Sequence, residues 1–121
     1  MQDKATLIAD FIERQYVLDQ GDVRDNVERL FAADLVYHAG DEVLDREDLI
    51  AMGETVRRIP RAERSITASD FRRDGDVVRW RLVARLPGMG PDSSDAVQRS
   101  DVTAVFGHDG LVVEIRSADA A

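Results

Sequence analysis

Tyr16, Tyr37, His38, Trp80 and Asp101 are the side chains with which this sequence could act on a small molecule. A phenol, an imidazole or a carboxyl group can give or take a proton when apolar walls shift its pKa. Tyr37 and His38 are neighbours in an extended stretch, where strict alternation sends them to opposite faces. His38 is read two ways, as a general acid or base and as a surface or hydrogen-bonded structural histidine. Trp80 offers a large ring for a core or for a pocket wall. Ser69, Thr67 and Ser117 share its expected face, and buried hydroxyls there need partners, a polar ligand group among them. Asp101 falls on the face of Thr103 and Arg116, which favours surface pairing; one β-bulge would turn it inward. His108 sits in a turn. With no cysteine and only two histidines, no metal site is expected.

The elements that must hold these residues follow from hydrophobic periodicity. Asp74–Leu86 reads as a turn and a strand, with Val78, Trp80, Leu82, Ala84 and Leu86 on one face. Arg79, Arg81 and Arg85 fall on the other. Ala5–Gln20 reads as a helix with a stripe of Leu7, Ile8, Phe11, Ile12 and Leu18. Tyr16 continues the Ile8–Ile12 line at the edge of that stripe. Gly21 stops this helix and Asp22 caps the next, whose buried side is Val23, Val27, Leu30 and Phe31. A short strand, Leu35–His38, opens at Asp34 and closes at Gly40. Asp45 caps a third helix with Leu49, Met52, Val56 and Ile59 on its apolar face, ended by Pro60.

Strands are then expected over Ser65–Arg73, Asp76–Leu86, about Ala96–Phe106, and Leu111–Ser117. The pairs Asp74-Gly75 and Asp109-Gly110 suit two-residue hairpin loops. Those loops would set Ser69 opposite Trp80, Phe71 opposite Val78, and Asp70 opposite Arg79 as an ion pair. They would leave an Ile66–Val83 pair facing outward. In the second hairpin Phe106 would face Val113, Ala104 would face Ile115, and Val102 would face Ser117. Pro87–Asp95 reads as a loop. The class is α+β, helices first and an antiparallel sheet after.

The length of 121 residues fits a single domain, 1–121, with a real core. The net charge of −8 argues against nucleic acid as a partner. No apolar run reaches the ~18 residues of a membrane span. The N-terminus lacks a signal-peptide pattern, so a cytoplasmic protein is expected with no membrane partner.

Three stretches carry a resemblance: Leu18–His38 (LDQGDVRDNVERLFAADLVYH), Asp45–Pro60 (DREDLIAMGETVRRIP) and Phe106–Ile115 (FGHDGLVVEI). In order and spacing they resemble the SnoaL-like group of the nuclear transport factor 2-like superfamily. The resemblance implies a cone, a curved sheet wrapped round the N-terminal helices, with a largely apolar interior pocket. Similar proteins include ketosteroid isomerases, limonene-type epoxide hydrolases, polyketide cyclases, dehydratases and binding proteins. Fold does not choose among them.

The better understood mechanisms do not carry over residue by residue. The general base of ketosteroid isomerases aligns with Ala39 and their second acid falls near Val102. The Asp–Arg–Asp set of the epoxide hydrolases falls near Leu82, Trp80 and Ser117, although their strand tyrosine matches Tyr37. What the resemblance does imply is that Tyr37 faces the cone, with core packing as the alternative. SnoaL-like cyclases often carry a histidine near His38. Catalytic roles are accordingly expected for Tyr37 and His38, and substrate binding for Tyr16, Met52, Ser69, Trp80 and Ser117.

The expected function is a cofactor-free cyclase, isomerase or hydrolase acting on a small apolar metabolite, polyketide-like compounds included. The alternatives are a binding or carrier module using the same cone, and a structural dimer that works through its sheet surface. A homodimer through the open sheet face is expected in any case.

Overall fold

The computed structural model describes residues 3–87 and 97–119. Apart from Pro87, the expected Pro87–Asp95 loop and the strand start at Ala96 lie outside the described residues.

Helix α1, Lys4–Ile12, starts where Asp3 accepts a hydrogen bond from the Ala5 N–H at 3.0 Å. It does not run on to Gln20 as a plain α-helix. A π-helical turn, Glu13–Val17, follows directly. Asp22 caps α2, Val23–Leu30, by accepting from the Asp25 N–H at 3.1 Å. Asp45 and Asp48 form a reciprocal capping box on α3, Arg46–Arg58. Each such cap contributes about 1 kcal/mol.

The strands are β1 Phe31–Ala39, β2 Glu42–Leu44, β3 Ser65–Asp74, β4 Val77–Arg85, β5 Gln98–Phe106 and β6 Val112–Asp119. They form one sheet in the order β2-β1-β6-β5-β4-β3. Phe31 belongs to β1 rather than α2, and β2 was not expected. One neighbour pair breaks the antiparallel rule: β1 runs parallel to β6. Helices cover one face of the sheet, and Val27, Val78, Val112 and Ala104 are almost wholly buried between the layers.

The face assignment of β4 is as the alternation requires: Trp80 is buried, and Arg79, Arg81 and Arg85 are exposed. Phe71 stacks on Trp80 with ring centroids 5.9 Å apart and planes 20° off parallel.

The β3 register differs from expectation, and the difference matters. The loop is Gly75-Asp76, so Asp74 pairs with Val77 and Arg72 with Arg79. The Asp70–Arg79 pairing is thereby lost. Asp70 then adopts φ +57° and the register shifts between Ser69 and Arg72. One extra residue reverses every side chain before it. Ser69 therefore pairs with Arg81 and is exposed, as is Thr67. Ile66 pairs with Ala84 and turns inward, so no outward Ile66–Val83 pair exists.

The second hairpin keeps the expected register from Val102–Ser117 to Val105–Glu114. A bulge then sets Phe106 opposite Val112 instead of Val113.

Candidate active site

Between the helices and the sheet lies a cavity of about 140 Å³ with almost wholly apolar walls. Ile8, Phe11 and Ile12 of α1, Met52 and Val56 of α3, and Leu82, Ala84 and Ile115 of the sheet supply most of them. Tyr16, Tyr37, Met52 and Trp80, four residues picked out from the sequence, all line it. Tyr16 and Ile66 also border a surface groove beside Arg61, and Met52 borders another beside Asp48 and Thr55. The cavity walls thus continue to the surface in two directions.

The π-helical turn carries Tyr16, whose ring meets Phe11 edge to face at 5.9 Å; Phe11 meets Phe31 in the same way at 5.0 Å. Tyr37 comes from β1, opposite Ile115 of β6 and Leu44 of β2. Burial pushes the Tyr16 phenol well above its ordinary pKa; Tyr37 nearby adds to the rise and Arg57 opposes it. Burial also raises Tyr37, while the Ser117 hydroxyl beside it opposes the rise. Both phenols therefore stay protonated near neutral pH. In a medium of low polarity a neutral phenol is a strong hydrogen-bond donor, and each can share its proton with one ligand oxygen.

Ser117 faces inward opposite Val102 and reaches the pocket chemistry only through Tyr37. Trp80 contributes its ring, and its indole N–H is buried with no partner among the described residues.

Three of the residues expected at the site, Ser117, His38 and Ser69, do not line the cavity. His38 pairs with Val43 and Arg116 on the outer face, one residue out of phase with Tyr37, and does not line the cavity. Ser69 is carried outward by the Asp70 bulge. Asp101 is exposed and ion-paired to Arg81 at 3.3 Å, so the inward turn does not occur. His108 is exposed in its turn. Among the described residues, no carboxylate, imidazole or lysine lines the cavity.

Sequence reading passed over Gln15, Asn26, Arg57 and Arg64. Gln15 and Asn26 are buried and joined, Asn26 Nδ2 donating to Gln15 Oε1 at 3.0 Å. Arg64, also buried, donates to the Val56 carbonyl at 2.6 Å and to the Asp19 carboxylate. A signal for Gln15 was present: it sits four residues after Phe11, so a helical turn carries the apolar stripe onto it.

A curved six-stranded sheet with helices on one face and an apolar cavity between the layers is the α+β fold of nuclear transport factor 2-like and SnoaL-like structures. Wild-type IdmH of Streptomyces antibioticus, a candidate polyketide cyclase, aligns at 22% identity with a TM-score of 0.70, covering 97% of this chain and 91% of that one. A candidate isomerase of the SnoaL-like family from Agrobacterium tumefaciens aligns at 14% identity and TM-score 0.69, covering 98% of each chain. A nuclear transport factor 2-like protein of unknown function from Cytophaga hutchinsonii reaches TM-score 0.73 at 7% identity, covering 99% and 92%. No protein-family model and no curated protein matches the sequence.

Proposed function

We propose that this chain is a SnoaL-like enzyme of the cyclase, isomerase or hydrolase type, working without a cofactor on a small apolar metabolite in the cavity. The observation that carries the reading is that two protonated phenols, Tyr16 and Tyr37, line one cavity among otherwise apolar residues. Two donors aimed at one oxygen would hold a carbonyl in its polarised form and stabilise negative charge growing on it. A polyketide-like substrate, rich in carbonyls on an apolar frame, suits such a site. The names of the neighbouring structures, a candidate cyclase and a candidate isomerase, support the class and not the substrate.

The test is calorimetric. Acetophenone presents a carbonyl oxygen on an apolar ring, and α-methylstyrene replaces that oxygen with a methylene. Wild-type protein should prefer acetophenone, and Tyr37→Phe should weaken the preference by about one hydrogen bond's worth, two- to tenfold. Equal binding of both probes would remove the oxygen-binding role.

A second reading is favoured by the lack of any carboxylate or imidazole on the described cavity walls. Without a strong base, the cone would bind and carry a metabolite unchanged. A turnover assay on β-ketone substrates separates the two, since a carrier consumes none.

Homodimerisation through the outer sheet face is part of the proposal. Val43 and Val36 lie on that face and are 66% and 38% exposed.

A further inference from the structure

We propose that Arg57 is a positioning residue for Tyr16, fixing from α3 the π-helical turn that aims the phenol into the cavity. The proposal rests on the reading that Tyr16 holds a ligand oxygen.

The contacts are specific to that turn. Arg57 Nε donates to the Gln15 carbonyl at 3.1 Å, the residue next to Tyr16. Its Nη2 donates to the Gln20 carbonyl at 2.9 Å and reaches Gln15 Oε1 at 3.4 Å, and Nη1 donates to the Gly21 carbonyl. A π-helical turn leaves the carbonyls that follow it without their usual helical partners. Arg57 supplies donors to the Gln15 carbonyl within the turn and to the Gln20 and Gly21 carbonyls beyond it, from one planar fork, which suits guanidinium better than ammonium.

The Gln15 side chain completes the clamp. It is fully buried and held by Asn26 Nδ2, which also donates to the Gln20 carbonyl at 2.8 Å. Room for it exists because position 53 is glycine: a Cβ there would stand 2.5 Å from Gln15 Nε2. Backbone and side chain of the residue preceding Tyr16 are thus both fixed from outside α1.

The charge acts as well as the geometry. Arg57 lies close enough to pull the Tyr16 phenol toward ionisation against its burial. A phenol polarised in this way donates a stronger hydrogen bond. Removing Arg57 would loosen the aim of Tyr16 and weaken its donor, and should leave Tyr37 on β1 in place.

The experiment is a coupling cycle on acetophenone affinity by calorimetry, with wild type, Arg57→Met, Tyr16→Phe and the double variant. Tyr16→Phe should cost about two- to tenfold in affinity, and Arg57→Met a similar factor. In the Tyr16→Phe background, Arg57→Met should change affinity by less than about 1.5-fold, the signature of one residue acting through another. Arg57→Lys, which keeps the charge and part of the bonding, should recover some of the loss. Should Arg57→Met lose its cooperative melt, the same cycle is run with Arg57→Lys, whose smaller loss should likewise vanish beside Tyr16→Phe. Equal losses in both backgrounds would overturn the proposal and make Arg57 a residue of the fold alone. An unchanged affinity in Tyr16→Phe, or no acetophenone binding by wild type, would overturn the site reading and the proposal together.

Discussion

Tyr16 and Tyr37 line one apolar cavity from different layers of the fold, the first on a π-helical turn and the second on β1. Burial makes the Tyr16 phenol hard to ionise, and the Tyr37 phenol nearby makes it harder still. The consequence is a proton-donating pair rather than a base.

That pair makes stability sensitive to alkali. The folded-state pKa of both phenols lies above the ordinary value of 10.0. Their contribution is therefore complete below pH 10 and is lost as pH rises through and beyond that value, when the unfolded chain ionises first. Tyr16→Phe should melt closer to wild type at about pH 11 than at pH 8, because it has lost one of the two raised phenols. Melting curves followed by circular dichroism at the two pH values measure this; parallel losses in both proteins would contradict it.

Gly53 carries a second expectation. A methyl group at this position would press on Gln15 Nε2 at 2.5 Å and on Val23 Cγ1 at 2.8 Å, both buried. Gly53→Ala should cost about 1–3 kcal/mol despite its better helix propensity, since the overpacked junction has nowhere to relax. Urea denaturation gives the value, and a gain in stability would show that the junction is looser than described.

Two ion pairs that differ widely in burial should differ in worth. Arg64 is 2% exposed at its side chain and is answered by Asp19. Asp19→Asn keeps a residue that tolerates φ +52° and removes the countercharge of the buried guanidinium, at about 3 kcal/mol, the low end for a pair whose acid is partly exposed. The exposed Arg81–Asp101 pair should count for less than about 1 kcal/mol in Asp101→Asn. Comparable losses from the two variants would contradict the burial argument.

Assembly is tested by light scattering. A homodimer through the outer face should be split by Val43→Lys with no change in acetophenone affinity. A wild-type monomer at micromolar concentration removes the dimer from the proposal.

The sequence made the layers legible because they rest on local signals. Asp22 and Asp45 announced their helices, and the alternation from Val78 to Arg85 fixed which side of β4 is wet. What it did not disclose was non-local. The extra residue at Asp70 is allowed by backbone strain that no pattern advertises, and it exchanged Ser69 for Ile66 at the cavity. The parallel β1–β6 pairing joins segments far apart in the chain, for which periodicity carries no information. Tyr37 and His38 show both sides of this: alternation separated them correctly, while their use could be weighed only once the cavity was placed.

The central claim is that Tyr16 and Tyr37 together recognise a ligand oxygen in an apolar cavity. The direct measurement is the ratio of acetophenone to α-methylstyrene affinity, by calorimetry, in wild type and in the Tyr16→Phe/Tyr37→Phe double variant. The ratio should favour acetophenone by about ten-fold or more in wild type and fall to near one in the double variant, with α-methylstyrene binding unchanged. A ratio that is the same in both proteins would contradict the claim and leave the phenols as packing.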